Sequence, residues 1–197
     1  MGRLPDIEHT ARRWRIHALT PDFQLEDVWA LPTPGGPGDF PRLLELIGSA
    51  DSRDSGSLPV RALFALRWKI GGLLGWDEPG AGIGSRVPTL RDRLPDDLRD
   101  GPSGPTTGSL PFAPLYATGD EFAAEIANET VHGVMHLGWV EDGVGGHRGQ
   151  MAVLVKPNGR RGAIYMAAIK PFRHALVYPR MLRDFERRWR EQAPAHA

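Results

Sequence analysis

Cysteine is absent from all 197 residues, which removes disulfides, thiolate metal sites and cysteine nucleophiles together. Long apolar runs are missing as well, since no stretch approaches the ~20 residues a helix needs to cross a bilayer. Neither sign of charge is in excess. Lys+Arg and Asp+Glu both total 24, so no global positive field gathers nucleic acid or an anionic membrane surface. The opening MGRLPDIEHTARRWRIHAL is charged and lacks the apolar centre of a secretory signal. The expectation is a cytoplasmic protein with neither nucleic acid nor membrane as partner.

What the chain does contain in quantity is Gly (24) and Pro (18), gathered into connectors at PTPGGPG (32–38), DEPGAGIG (77–84) and DGPSGPTTGSLP (100–111). The length suits a single domain over 1–197, with 1–20 as an N-terminal extension and 77–111 as an irregular connector. In DFQLEDVWALP (22–32), Phe23, Leu25, Trp29 and Leu31 occupy odd positions, a strand pattern interrupted by Asp27. Asp39 and Pro41 start a helix that carries Phe40, Leu43, Leu44 and Ile47. A second helix is expected over 57–76, and TLRDRLPDDLRD supplies a turn or two more. DEFAAEIAN (120–128) is ambiguous, because Ala and Glu favour helix and Thr118 with Glu121 imitates a capping box.

From residue 130 the pattern is β. TVHGVMHLGWV alternates, RGQMAVLV follows a turn in EDGVGGH, and KPNGR turns into GAIYMAAI. Met181, Leu182, Phe185 and Trp189 then recur at helical spacing. This order of strand, two helices, antiparallel strands and terminal helix predicts an α+β helix-grip fold, a curved antiparallel sheet over a long C-terminal helix. Such a sheet leaves a concavity that side chains must line.

The stretches DFQLEDVWALPTPGG, LLGWDEPG, DRLPDDL, ANETVHGVMHLGWV, GQMAVLVKPNG and YMAAIKPFRHALVYPRMLRDFERRW resemble the DUF2867 family from about Asp22 to Trp189. The resemblance implies a START or Bet v 1-like (SRPBCC) helix-grip domain and favours strand for residues 121–126. It also implies a cavity for lipids, sterols, polyketides or plant hormones, and in some members cofactor-independent cyclase, dehydratase or hydrolase activity. It implies no particular catalytic residue.

His132 and His136 share a strand face ~13 Å apart, too far for one ion to bridge. Each is either a satisfied wall histidine or a general acid or base. A metal held by one of them with Glu125 or His174 is the minor alternative. Glu121, Glu125 and Asp27 are the carboxylates placed to meet a cavity, where burial among Trp29, Tyr116 and Tyr165 would raise a pKa; the alternative is that they are simply exposed. IKPFRHALVYP gathers Lys170, Arg173, His174 and Tyr178 at the last strand-to-helix junction, as an anion-recognising corner or as a plain elbow. GAGIGSR (80–86) imitates a phosphate loop but lacks the strand before it and the helix after it.

The candidates are therefore His132, Glu125 and Asp27 as acid and base. Trp29, Tyr116, Met135, Trp139, Tyr165, Lys170, Arg173 and His174 are the candidate ligand contacts. No metal and no cofactor are expected, and the expected partner is a hydrophobic small molecule. It is either converted by proton transfer or merely carried; a collapsed cavity serving as an interaction domain is the third reading. Both sheet faces read as apolar, so a homodimer contact is expected to cover the second one.

Overall fold

The computed structural model describes residues 2–49, 83, 87–107, 112–127, 131–159, 174 and 178–192. Two single-turn helices, α1 (Ile7–Thr10) and α2 (Ile16–Leu19), lead into strand β1 (Gln24–Ala30) and helix α3 (Phe40–Gly48). A 3-10 turn (Leu90–Arg93) and helix α4 (Asp96–Arg99) precede β2 (Ala113–Ala117), β3 (Glu121–Ala127), β4 (Val131–Glu141) and β5 (His147–Pro157). Helix α5 (Tyr178–Glu191) comes last. The strands form one antiparallel sheet in the order β1-β5-β4-β3-β2, so the architecture is α+β and of helix-grip type. The helix expected over 57–76 and the strand expected over 162–169 lie outside the described residues.

One face of the sheet packs on α3 and α5. Here Trp29, Leu31, Phe122, Leu137, Trp139 and Met151 meet Phe40, Leu43, Leu46, Ile47, Tyr178 and Trp189. Arg42 ties the two helices by stacking 3.8 Å over the Trp189 ring, whose Nε1–H donates to the Pro34 carbonyl at 2.9 Å. The other face is covered by the N-terminal segment and the 90–99 region. Trp14, Ile16, Leu19, Leu90, Leu94 and Leu98 lie there on Val28, Val134, Val140, Ala152 and Leu154. The expectation of a homodimer rested on an open second face, and the chain's own extension and connector occupy it.

β1 serves both layers because of a bulge. Leu25 pairs with Leu154 and Asp27 with Val153, which leaves Glu26 as an extra residue. Each added residue reverses the side-chain alternation beyond it. Phe23 and Leu25 therefore pack with the N-terminal layer, whereas Trp29 and Leu31 pack with the helices. The single odd-numbered face read from the sequence is two half-faces. Asp27 is no interruption; it is the first residue after the switch.

β3 is a strand despite the helix propensity of its Ala and Glu residues, because its two faces meet different layers. Phe122 and Ala124 join the helix side, and Glu121, Ala123 and Glu125 face the N-terminal segment. The β4–β5 turn is held by Asp142, whose carboxylate accepts from Val144 N–H and Gly146 N–H at 2.9 Å each. Gly143 and Gly145 supply the positive φ angles of 82° and 95° that this turn requires.

Candidate functional site

The two carboxylates of β3 are buried on the N-terminal side, each with its own histidine. Glu125 Oε2 accepts from His132 Nε2–H at 2.7 Å and from Leu90 N–H at 3.0 Å, and its Oε1 accepts from the Thr89 hydroxyl. Burial alone pushes this carboxyl up, but the His132, Thr89 and Leu90 donors outweigh it and hold it below the ordinary range. Glu121 takes Arg15 N–H and Ile16 N–H at 3.0 Å each, and the Tyr116 hydroxyl donates to it as well. His136 Nε2 stands 3.2 Å from Glu121 Oε1, an ion-pair contact not aligned as a regular hydrogen bond. Again burial pushes up, and His136, Tyr116 and the Arg15 amide pull the Glu121 pKa down to about 2. The expected rise in carboxylate pKa is thus reversed: burial came with enough donors to favour the charged form. Both groups fasten covering segments, at the start of α2 and of the 3-10 turn.

On the helix side stands a different cluster. Asp27 is fully buried, and His174 Nε2–H donates to its Oδ1 at 2.5 Å while the Tyr178 hydroxyl donates to its Oδ2 at 2.9 Å. Arg3 Nε lies 3.6 Å from Oδ1. His174 itself is 28% exposed, and its Nδ1 has no partner among the described residues. A buried carboxylate therefore orients a solvent-reachable imidazole and fixes its tautomer. Trp29 packs against this cluster, with ring centroids 4.6 Å from Tyr178 and 6.1 Å from His174. Its indole N–H is buried without an acceptor.

Strand register places apolar surface next to these polar groups. Asp27, Val153, Met135 and Ala124 are successive partners across β1, β5, β4 and β3 on the helix-side face. Val153 and Met135 remain half-buried, as do Met181, Leu182 and Phe185 of α5, which pack against the same cluster. A separate, open depression of about 500 Å³ is lined by Arg12, Arg13, Trp14, Arg15, Thr118, Asp120, Glu121 and Trp139. Its walls are mainly charged, and none belongs to the Asp27 cluster.

A family model described as a protein of unknown function, DUF2867, matches residues 19–180. The chain belongs to the DUF2867 family. No curated protein and no solved structure matches it. The DUF2867 match runs from the end of α2 into α5, so it takes in the whole sheet and both histidine–carboxylate layers, while His9 and His17 precede it.

In this DUF2867 chain the three residues from which the acid and base were expected are divided by the sheet. His132 and Glu125 lie on the N-terminal side, and Asp27 lies on the helix side. Tyr116 is also displaced from the expected ligand wall. A bulge between Pro114 and Tyr116 turns it to the N-terminal side, where it is buried against Glu121. Trp29, Met135, Trp139 and His174 do lie on the helix side or at its edge, and Trp139 spends its N–H on the Gly36 carbonyl at 2.9 Å. Tyr165, Lys170 and Arg173 lie outside the described residues. Among the described residues no three His, Asp or Glu side chains converge to hold a metal. Sequence reading passed over His9 and His17, whose spacing of eight in a charged extension gives no sign of the strand histidine they meet.

Proposed function

We propose that the chain binds an apolar small molecule carrying a carbonyl or hydroxyl oxygen on the helix side of the sheet, and that His174 moves a proton on it. The observation that carries this reading is buried Asp27 holding a half-open His174 at the end of a row that continues into half-buried Val153 and Met135. His174 Nδ1 is the base, Asp27 orients the ring and balances the imidazolium, and the free indole N–H of Trp29 is the donor for the ligand oxygen. The likeness to START and Bet v 1-like domains, whose cavities take lipids and polyketides, accords with this chemistry. Isomerisation, dehydration and cyclisation all begin with such a proton transfer.

The test uses nitrobenzisoxazole, an apolar probe whose ring C–H is taken by a base as its N–O bond breaks to release a phenolate. Wild-type protein is expected to accelerate ring opening. His174→Ala should abolish the acceleration, and Asp27→Asn should lower it by about 10²-fold or more, in the range usual for general-base catalysis. Displacement of an environment-sensitive apolar dye by the probe, measured in parallel, separates binding from turnover. Displacement with no ring opening would reduce the proposal to a carrier, and neither response would overturn it.

A further inference from the structure

The geometry points to a proton relay, made of His17, His9 and His136, that carries one solvent proton inward until its charge rests on His136 beside the buried Glu121 carboxylate. The contacts form a single line. His17 Nε2 lies 3.2 Å from His9 Nδ1, His9 Nε2 lies 3.1 Å from His136 Nδ1, and His136 Nε2 lies 3.2 Å from Glu121 Oε1. The two inner rings each offer one nitrogen to each neighbour, so a proton received on one side is matched by another released on the other. His9 and His136 are 1% exposed, while His17 is half-buried and forms the opening to water.

Glu121 sets the polarity of the line. Its oxygens can only accept, and the Arg15 and Ile16 amides with the Tyr116 hydroxyl fix it as a carboxylate. His136 must therefore present N–H at Nε2. With three neutral rings, His136 Nδ1 accepts from His9 Nε2–H, His9 Nδ1 accepts from His17 Nε2–H, and His17 Nδ1 keeps its lone pair. When a proton lands on that lone pair, His17 passes its Nε2 proton to His9 Nδ1. His9 in turn passes its Nε2 proton to His136 Nδ1. The charge then rests on His136 against Glu121, one proton has been taken up, and no heavy atom has moved.

Both states keep both ring-to-ring hydrogen bonds, with the donors reversed. A second proton would set N–H against N–H and break the line. Burial, then His136 and His17, hold the His9 pKa down to about 3, so the middle ring transmits charge without retaining it. Other charged or titratable groups around the line are Tyr116 from β2, Asp120 just before β3, Glu121 from β3, and Arg12, Arg13 and Arg15 from the covering segment. The Arg15 guanidinium is spent on Asp97 at 2.7 Å. The indole of Trp14, 5.2 Å from His136 and 6.4 Å from His9, shields the inner rings.

Nitrogen-15 NMR of the intact protein labelled at histidine, followed from mildly alkaline to mildly acidic pH, tests the relay. His9 is expected to remain neutral yet exchange its Nε2–H tautomer for Nδ1–H, at the same midpoint at which the line takes up one proton. In His9→Phe, His17 and His136 should titrate with separate midpoints. A wild-type His9 that keeps one tautomer throughout would overturn the relay, as would a His9→Phe protein in which the other two rings still titrate together. Because the wild-type spectrum decides by itself, failure of the variant to fold leaves the test intact.

Discussion

Glu121 shows how a buried charge becomes a stability term. Its folded pKa of about 2 lies below the ordinary 4.5, so its contribution is complete above 4.5 and is lost as pH falls toward 2. The size is on the order of 3 kcal/mol. Urea midpoints measured across acid pH should fall through that window, and Glu121→Gln should flatten the fall while lowering the neutral value. For Glu125 the same kind of network predicts an order of effects. Glu125→Ala leaves His132, the Thr89 hydroxyl and the Leu90 amide without their acceptor and is expected to cost roughly 3–5 kcal/mol. His132→Ala leaves the carboxylate two donors and should cost about 1–3 kcal/mol. Equal losses in denaturant titrations would show that Glu125 and His132 act as one unit and that the Thr89 and Leu90 donors add nothing once His132 is gone.

Among the elements, the N-terminal segment depends on one close approach. The Trp14 indole lies flat enough on β4 that a Cβ built on Gly138 would meet its Cη2 and Cζ2 at 2.6 Å. Gly138→Ala must therefore displace a rigid ring, and a cost of about 1–3 kcal/mol is expected. A thermal melt and tryptophan fluorescence would read it, and an unchanged melting point would mean that Trp14 finds another seat. β3 makes the complementary point. Propensity alone reads EFAAEIA as helix, and the strand forms because Phe122 and Ala124 fit the helix layer while Glu121 and Glu125 each find donors in segments far away in sequence.

At the level of the whole molecule, a sheet covered on both faces by its own chain needs no second copy. Light scattering is expected to give the monomer mass of 21.7 kDa. Removal of residues 2–20 would bare Val28, Val134, Ala152 and Leu154, and the shortened protein should self-associate. Much of this organisation was legible in the sequence. The alternation of TVHGVMHLGWV gave β4, the spacing of Leu43, Ile47, Phe185 and Trp189 gave two helices, and Asp27 and His174 were both singled out. Their partnership was not legible, because 147 residues separate them and hydropathy carries no information about which polar groups will meet. The sidedness of β1 was hidden for another reason, since a bulge leaves no mark in a pattern read by eye at period two.

That bulge makes parity itself a structural variable in this chain. Loss of the single residue Glu26 would hardly alter composition, yet a strand counted in twos would then force a choice. Either Phe23 and Leu25 cross to the helices, or Asp27 and Trp29 turn away from them and leave His174 with no carboxylate to hold it. One extra residue thus decides whether the two layers can share a strand, and whether the side of the sheet that holds His174 also holds the carboxylate that orients it.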